Sequence, residues 1–272
     1  MHAAPQTEAQ RAPLEFLLRL GDNALVLSHR LSEWTGHGPA LEEDIALGNI
    51  ALDLLGQARM LYSHAGQGMK PVQDEDALAY WRDAEAFRNF TALELPNSGV
   101  HAARGAAGDY AFTTVRQALF SAYMLVLWPL LARSEDEVLA GIAMKAIKET
   151  RYHWRHASEW MLRLGDGTEY SNRRMQVALD QCFPYTNEWF SFDAIDEEAL
   201  DRAAAAGTGN LSEQLHGAWS ALIEPLIAEA KLRKPGPSLL HTKGRFGIHG
   251  EHLSLLLSEM QSVARAHPGA SW

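Results

Sequence analysis

Residues 13–34 read PLEFLLRLGDNALVLSHRLSEW, and this stretch sets the fold class. Leu14, Leu17, Leu18, Val26 and Leu27 recur at helical separations, which gathers them on one face of an α-helix. Gly36-His37-Gly38-Pro39 ends that helix. The same periodicity recurs along the 272 residues, and no run of strict alternation marks a strand. A second helix is expected over about 41–65, with Glu42, Glu43 and Asp44 at the end where the helix dipole favours anions. A shorter one is expected over about 76–94, ahead of the turn cluster Pro96-Asn97-Ser98-Gly99. Asp109 reads as the N-cap of a third long helix reaching about Arg133, and Ser134 as the cap of a fourth ending near Gly165. The glycine-containing run 164–168 follows a helix rather than a strand, so it reads as a helix end and turn, not a phosphate loop. Later helices are expected at about 172–182, 196–206, 211–233 and 249–267. Four long helices with short or moderate connections predict an all-α four-helix bundle core with smaller helices around it. The expected organisation is one domain over 1–272, with residues 1–12 a flexible tail.

Composition narrows the function. Hydrophobic residues make up 47% and charged residues 21%, an ordinary globular balance that excludes wholesale disorder. Lys and Arg total 24 against 34 Asp and Glu, a formal charge of −10, so no nucleic-acid partner is expected. The N-terminal stretch MHAAPQTEAQRAPLEF lacks an apolar core and does not read as a secretory signal. The apolar run 118–132 is interrupted by Ser121 and Pro129 and falls short of a membrane span, so no membrane is expected. Cys182 is the single cysteine, which rules out an internal disulfide and suits a reducing cytoplasm. No nucleophile elbow, P-loop or dinucleotide turn is present.

Polar residues in apolar company are the candidate site. On the second helix Asn49, Asp53 and Gln57 share a face among Ile50, Leu52, Leu54 and Leu55. On the fourth, Lys145, Glu149, Tyr152, His153 and His156 form another line, and the first offers Asp22, His29 and Glu33. Bundles hold two metals when carboxylates and ExxH pairs project inward from all four helices. Asp53, Glu149 and His153 are the nearest approach to such a set. Yet Gly56 stands three residues after Asp53, and Tyr152 three after Glu149. Between Asp109 and Arg133 there is no Asp, Glu or His at all. A centre needing a ligand from each helix is left incomplete, so the expectation is no metal and no catalytic residue in this chain.

Two further groups have alternative readings. His249 and His252 are three apart and suit one metal on one turn, or a helix cap with a surface ion pair, which is the commoner arrangement. The segment FPYTNEWFSF (183–192) is dense in aromatics. It either plugs the end of the bundle or forms a partner patch through Tyr185, Trp189 and Phe190.

Several segments in order carry a family resemblance. They are LGDNAL (20–25), RLSEWTGHGP (30–39), EEDIAL (42–47), LDLLGQAR (52–59), FRN (87–89), KETRYH (148–153), LRLGDGT (162–168), GIHGEHL (247–253) and EMQ (259–261). Together they resemble the PaaC-type family of ferritin-like subunits found in bacterial phenylacetyl-CoA epoxidases (phenylacetate-CoA oxygenases), over nearly all the chain after Leu14. The chain departs from the family pattern at Gly250, where a small hydroxyl residue is usual, and at Ser254, where glycine is usual.

The resemblance implies a ferritin-like helical protein, a paralogue of the complex's catalytic di-iron subunit that has lost its metal. It implies a supporting role beside that di-iron subunit, a small accessory subunit and a reductase. The reductase would carry flavin and iron–sulfur and draw on NADPH, and the complex would use O₂ to epoxidise the ring of phenylacetyl-CoA. Asp53, Glu149 and His153 are then expected as vestigial polar groups paired with one another or with Lys145, Arg151 or Gln57. The alternatives are a di-iron oxygenase with atypical ligands and a helical adaptor unrelated to oxygenation.

Overall fold

The computed structural model describes residues 11–101, 103, 105–201 and 210–270. Four long helices form its frame: α1 (Leu14–Ser32), α2 (Leu41–Gln67), α5 (Tyr110–Leu131) and α6 (Glu137–Gly165). Between them lie α3 (Glu75–Tyr80) and α4 (Thr91–Glu94), and after them α7 (Glu169–Cys182), α8 (Ala194–Asp201), α9 (Leu211–Glu229), α10 (Glu251–Met260) and α11 (Ser262–Ala266). Among the described residues there is no strand, and an isolated bridge pairs Lys243 with Ile248. The fold is all-α, as the periodicity predicts.

α1 packs on α2 and α5 on α6, giving two helical hairpins that meet along α2 and α6. The pairs Asp53–His153 and Gln57–Glu149 step forward on α2 as they step back on α6, so these two helices run antiparallel. The long connection from α2 to α5 crosses the bundle, which is the ferritin-like arrangement. α7 and α9 pack on the outside of α5.

α5 is therefore the central helix. Its length and apolar composition would suffice to cross a membrane, which the run 118–132 alone did not suggest, but 78% of its most apolar window is buried inside the protein. Asp109 caps it by accepting the N–H of Ala111, as expected. The cap of α6 is Asp136 rather than Ser134: the Asp136 carboxylate takes the N–H groups of Val138 and Leu139. Ser134 instead accepts the N–H of Asp136 and braces that cap.

The stretch 76–94 departs most from expectation. It is α3, a 3₁₀ turn at Ala84–Ala86 and the single turn α4, with extended backbone at Phe87 and Phe90. The cause lies on α1. Asp22 accepts the backbone N–H of Arg88 at 2.6 Å, and Asn23 accepts that of Phe90 at 2.7 Å. Arg82 adds two bonds to Asp22. Side chains from another helix thus take donors that a continuous helix would have used.

The last expected helix also divides, at Gln261, into α10 and α11. Gln261 sends its side-chain amide to the carbonyls of Ala79 and Arg82, which fixes that break against the crossover segment. Two expectations fall outside the described residues, wholly or in part: the tail 1–12, of which only 11 and 12 are described, and the helix end at 202–206.

Candidate functional site

The polar seam predicted on the second and fourth helices does assemble, between α2 and α6. Asp53 Oδ2 lies 3.1 Å from His153 Nε2. Gln57 donates to Glu149 Oε2 at 2.9 Å, and Lys145 reaches Glu149 Oε1 at 3.3 Å. Toward the N-terminus of α2, Glu43 Oε2 takes both His156 Nε2 at 2.8 Å and the hydroxyl of Tyr110 at 2.5 Å. Burial, followed by the Glu43 bond and charge, raises the Tyr110 phenol and keeps it the donor of that pair. The exposure is graded: the His153 side chain is 2% accessible, Glu149 15% and Asp53 37%. Of the expected partners, Arg151 is exposed.

This seam does not have the shape of a di-metal centre. Each acid on it already faces a neutral amide, an imidazole, a phenol or a lysine. Among the described residues, no three His, Cys, Asp or Glu side chains converge where one ion could be held. α5 passes the centre with no acid or imidazole between Tyr110 and Leu131. Two of the α1 candidates, Asp22 and Glu33, are engaged elsewhere. Asp22 takes Tyr62, Arg82 and the Arg88 N–H, and Glu33 takes Arg30 and Asn97. His29 is lowered to about 4 by burial, then by the neighbouring Arg30 charge, so it stays neutral.

Two buried ionic clusters escaped the sequence reading. Glu94, fully buried, accepts His249 Nδ1 at 2.7 Å, the Gly250 N–H at 2.7 Å and the Asn89 amide at 3.2 Å. Arg30 donates to the Glu94 carbonyl, binding α1 to the same point. In the second cluster Arg245 pairs with Asp196, and Arg19 bridges Asp193 and Asp196. Glu188 there accepts Thr242 Oγ1 and the N–H groups of Thr91 and Arg245. These members come from remote parts of the chain, so no local spacing announces them.

For His249 the ion-pair reading holds over the metal one, but the pair with Glu94 is buried and not at the surface. His249 precedes α10 rather than sharing a turn with His252, and both its ring nitrogens face acceptors, Glu94 and the Phe87 carbonyl. A ring with two acceptors is best satisfied as imidazolium. Burial opposes that charge, but the Glu94 hydrogen bond and charge and the Phe87 carbonyl outweigh it, so the pKa is raised. The stabilisation is then fully present below the unfolded-state value and is lost as pH rises through the raised folded value. His249→Gln is expected to cost about 1.5–3 kcal/mol at pH 5.5. The gap between the urea midpoints of wild type and variant should narrow as pH rises through the raised His249 value, and a gap that does not change with pH would refute the imidazolium.

The aromatic segment 183–190 forms a 3₁₀ helix whose centre is a plug. Trp189 is 1% exposed and meets Phe90, Phe120, Tyr123 and Trp219 at centroid distances of 5.6–6.4 Å. It is therefore unavailable as part of a partner patch, while Tyr185 and Phe190 are half-buried at its edge. Cys182, next to this plug, is buried, and burial pushes its thiol up to about 12. That is the environment of an inert packing residue. An open cleft of about 610 Å³ lies at the C-terminal end of α1, walled by Trp34, Glu33, His252, Leu255 and Glu259.

Comparison with known proteins completes the description. The family described as phenylacetic acid catabolic protein matches residues 1–272. A curated relative from Escherichia coli (strain K12), named as the C component of 1,2-phenylacetyl-CoA epoxidase, is 42% identical over 257 residues, covering 94% of this chain and 98% of the relative.

Proposed function

Because the chain belongs to the phenylacetic acid catabolic protein family, we propose that it is the metal-free supporting subunit of a multicomponent phenylacetyl-CoA 1,2-epoxidase. In this reading it pairs with a catalytic di-iron subunit of related helical fold. A small accessory subunit and an NADPH-dependent flavin and iron–sulfur reductase complete the complex, in a reducing cytoplasm. The relative's name supports membership of the epoxidase complex.

One observation carries the supporting role: α5 offers no ligand, and the acids on the α2–α6 seam, Glu43, Asp53 and Glu149, are committed to hydrogen bonds. A bundle so filled keeps the shape of a di-metal protein without the donor set, and rigid helices are suited to holding a neighbour's site in register. The experiment is iron analysis of the full chain expressed alone in iron-supplemented medium, beside co-purification with the di-iron subunit. The expected result is far less than one iron per chain, unchanged by chelation, together with a stable complex. Close to two irons per chain would make this protein an oxygenase with unusual ligands, and no complex would leave it without the supporting role.

A further inference from the structure

α2 is apolar on two faces. One packs in the bundle through Leu47, Ile50, Leu54, Ala58 and Leu61. The other carries Leu41, Ile45, Leu52 and Leu55, all exposed, with Leu41 at 73% and Leu52 at 65%. With Gly48 between them, the positions 41, 45, 48, 52 and 55 step by four and three alternately. That is the spacing of a seam that receives another helix. Scattered apolar residues on a surface are ordinary, but a continuous line of them along several turns marks an interaction site.

Two neighbouring features say what the seam receives. The adjoining α6 repeats the same steps with Gly141, Lys145, Lys148, Tyr152 and Arg155, all exposed, and the Arg155 guanidinium lies 5.7 Å from the Tyr152 ring. A chain of net charge −10 thus sets a basic stripe beside its exposed apolar one. Moreover Gly48, Gly56 and Gly141 have open space where a Cβ would stand. Glycine weakens a helix interior, and nothing among the described residues requires it at these points. Close approach of another backbone does.

We propose that the α2–α6 face docks an amphipathic helix of the partner subunit, with an apolar seam against 41–55 and acidic side chains against Lys145, Lys148 and Arg155. A second copy fits less well: a two-fold axis across the helices sets the basic stripe against its own image, and one along them sets it against the apolar seam or beyond it, so neither meets it with an acidic line. The inference rests on the pairing proposed above and adds the surface that makes it.

The test titrates the full chain with the purified di-iron subunit, measuring Kd by calorimetry and oligomeric state by light scattering. Ile45→Glu with Leu52→Glu is expected to weaken binding at least a hundredfold with helicity unchanged. Lys148→Glu with Arg155→Glu is expected to weaken it about tenfold and to flatten its salt dependence. Gly48→Leu gives opposite signs: Tm of the free chain rises by about 2–4 °C while the complex weakens. If wild type binds and all three variants bind equally well, this surface is wrong and the pairing stands. If wild type does not bind, pairing and surface both fall. A homodimer of the free chain that these substitutions dissolve would overturn the choice of occupant.

Discussion

Trp219→Ala is expected to lower the unfolding free energy by about 3–5 kcal/mol, with a marked fall in the urea midpoint. Trp219 is 1% exposed and joins three elements. Its ring meets Phe183 at 5.8 Å, Phe190 at 5.4 Å and Trp189 at 6.4 Å. Its indole N–H donates to the Leu119 carbonyl of α5 at 3.0 Å. Truncation leaves a cavity between α9, α5 and the 3₁₀ helix, and close-packed neighbours refill such a space only in part. Trp219→Phe separates the contributions: it keeps most of the packing and drops the hydrogen bond, so a loss nearer 1–2 kcal/mol is expected from the order of a single net bond plus partial shrinkage. Near-UV circular dichroism should change for both. An alanine variant losing under about 1 kcal/mol would mean that α9 is not anchored through this residue.

Asp22→Ala should be comparably severe, through charge instead of volume. Asp22 has no exposed surface and receives Tyr62 OH at 2.5 Å, two bonds from Arg82 and the Arg88 N–H. Burial opposes the Arg82 charge, but the Asp22 charge and hydrogen bonds outweigh it and hold the guanidinium above its ordinary range. Removing the acid strands a mostly buried cation and two further donors, and breaking a buried pair from one side costs about 3–5 kcal/mol. The discriminating measurement is the double variant Asp22→Ala with Arg82→Met. It removes the stranded charge and should recover part of the loss, seen as a coupling of at least 1 kcal/mol in a double-mutant cycle. Additive losses would show that the pair does not act as a unit.

The two severe sites differ in how far the sequence announces them. Helical periodicity exposes the long helices because burial of one stripe is a local property, repeated every turn. Asp109 could be read as a cap for the same reason, its partner being two residues away. The pairing of Asp53 with His153 and of Glu149 with Gln57 and Lys145 follows once two polar lines are seen in apolar company. What stayed hidden depends on distant partners. Nothing local in 76–94 says that Asp22 and Asn23 will take its amide protons. Nor does the run 183–192 say which aromatic faces inward, because a 3₁₀ helix has neither of the usual periods. An ion pair was the commoner reading of His249, but the sequence does not say that its partner is the buried Glu94, far back in the chain.

The short segment 242–250 supplies donors to three buried acids that lie far apart in the chain. Thr242 and the Arg245 N–H serve Glu188, the Arg245 guanidinium serves Asp196, and His249 with the Gly250 N–H serves Glu94. Synthesis runs from the N-terminus, so the nascent protein makes all three acids before it makes these donors, although Asp196 already has Arg19. Until residue 250 has emerged from the ribosome, closing the crossover leaves Glu94 with the Asn89 amide but without His249 and the Gly250 N–H, and Glu188 with the Thr91 N–H but without Thr242 and the Arg245 N–H. The four long helices all precede this segment, so the frame of the bundle is synthesised before the donors that complete the burial of these acids.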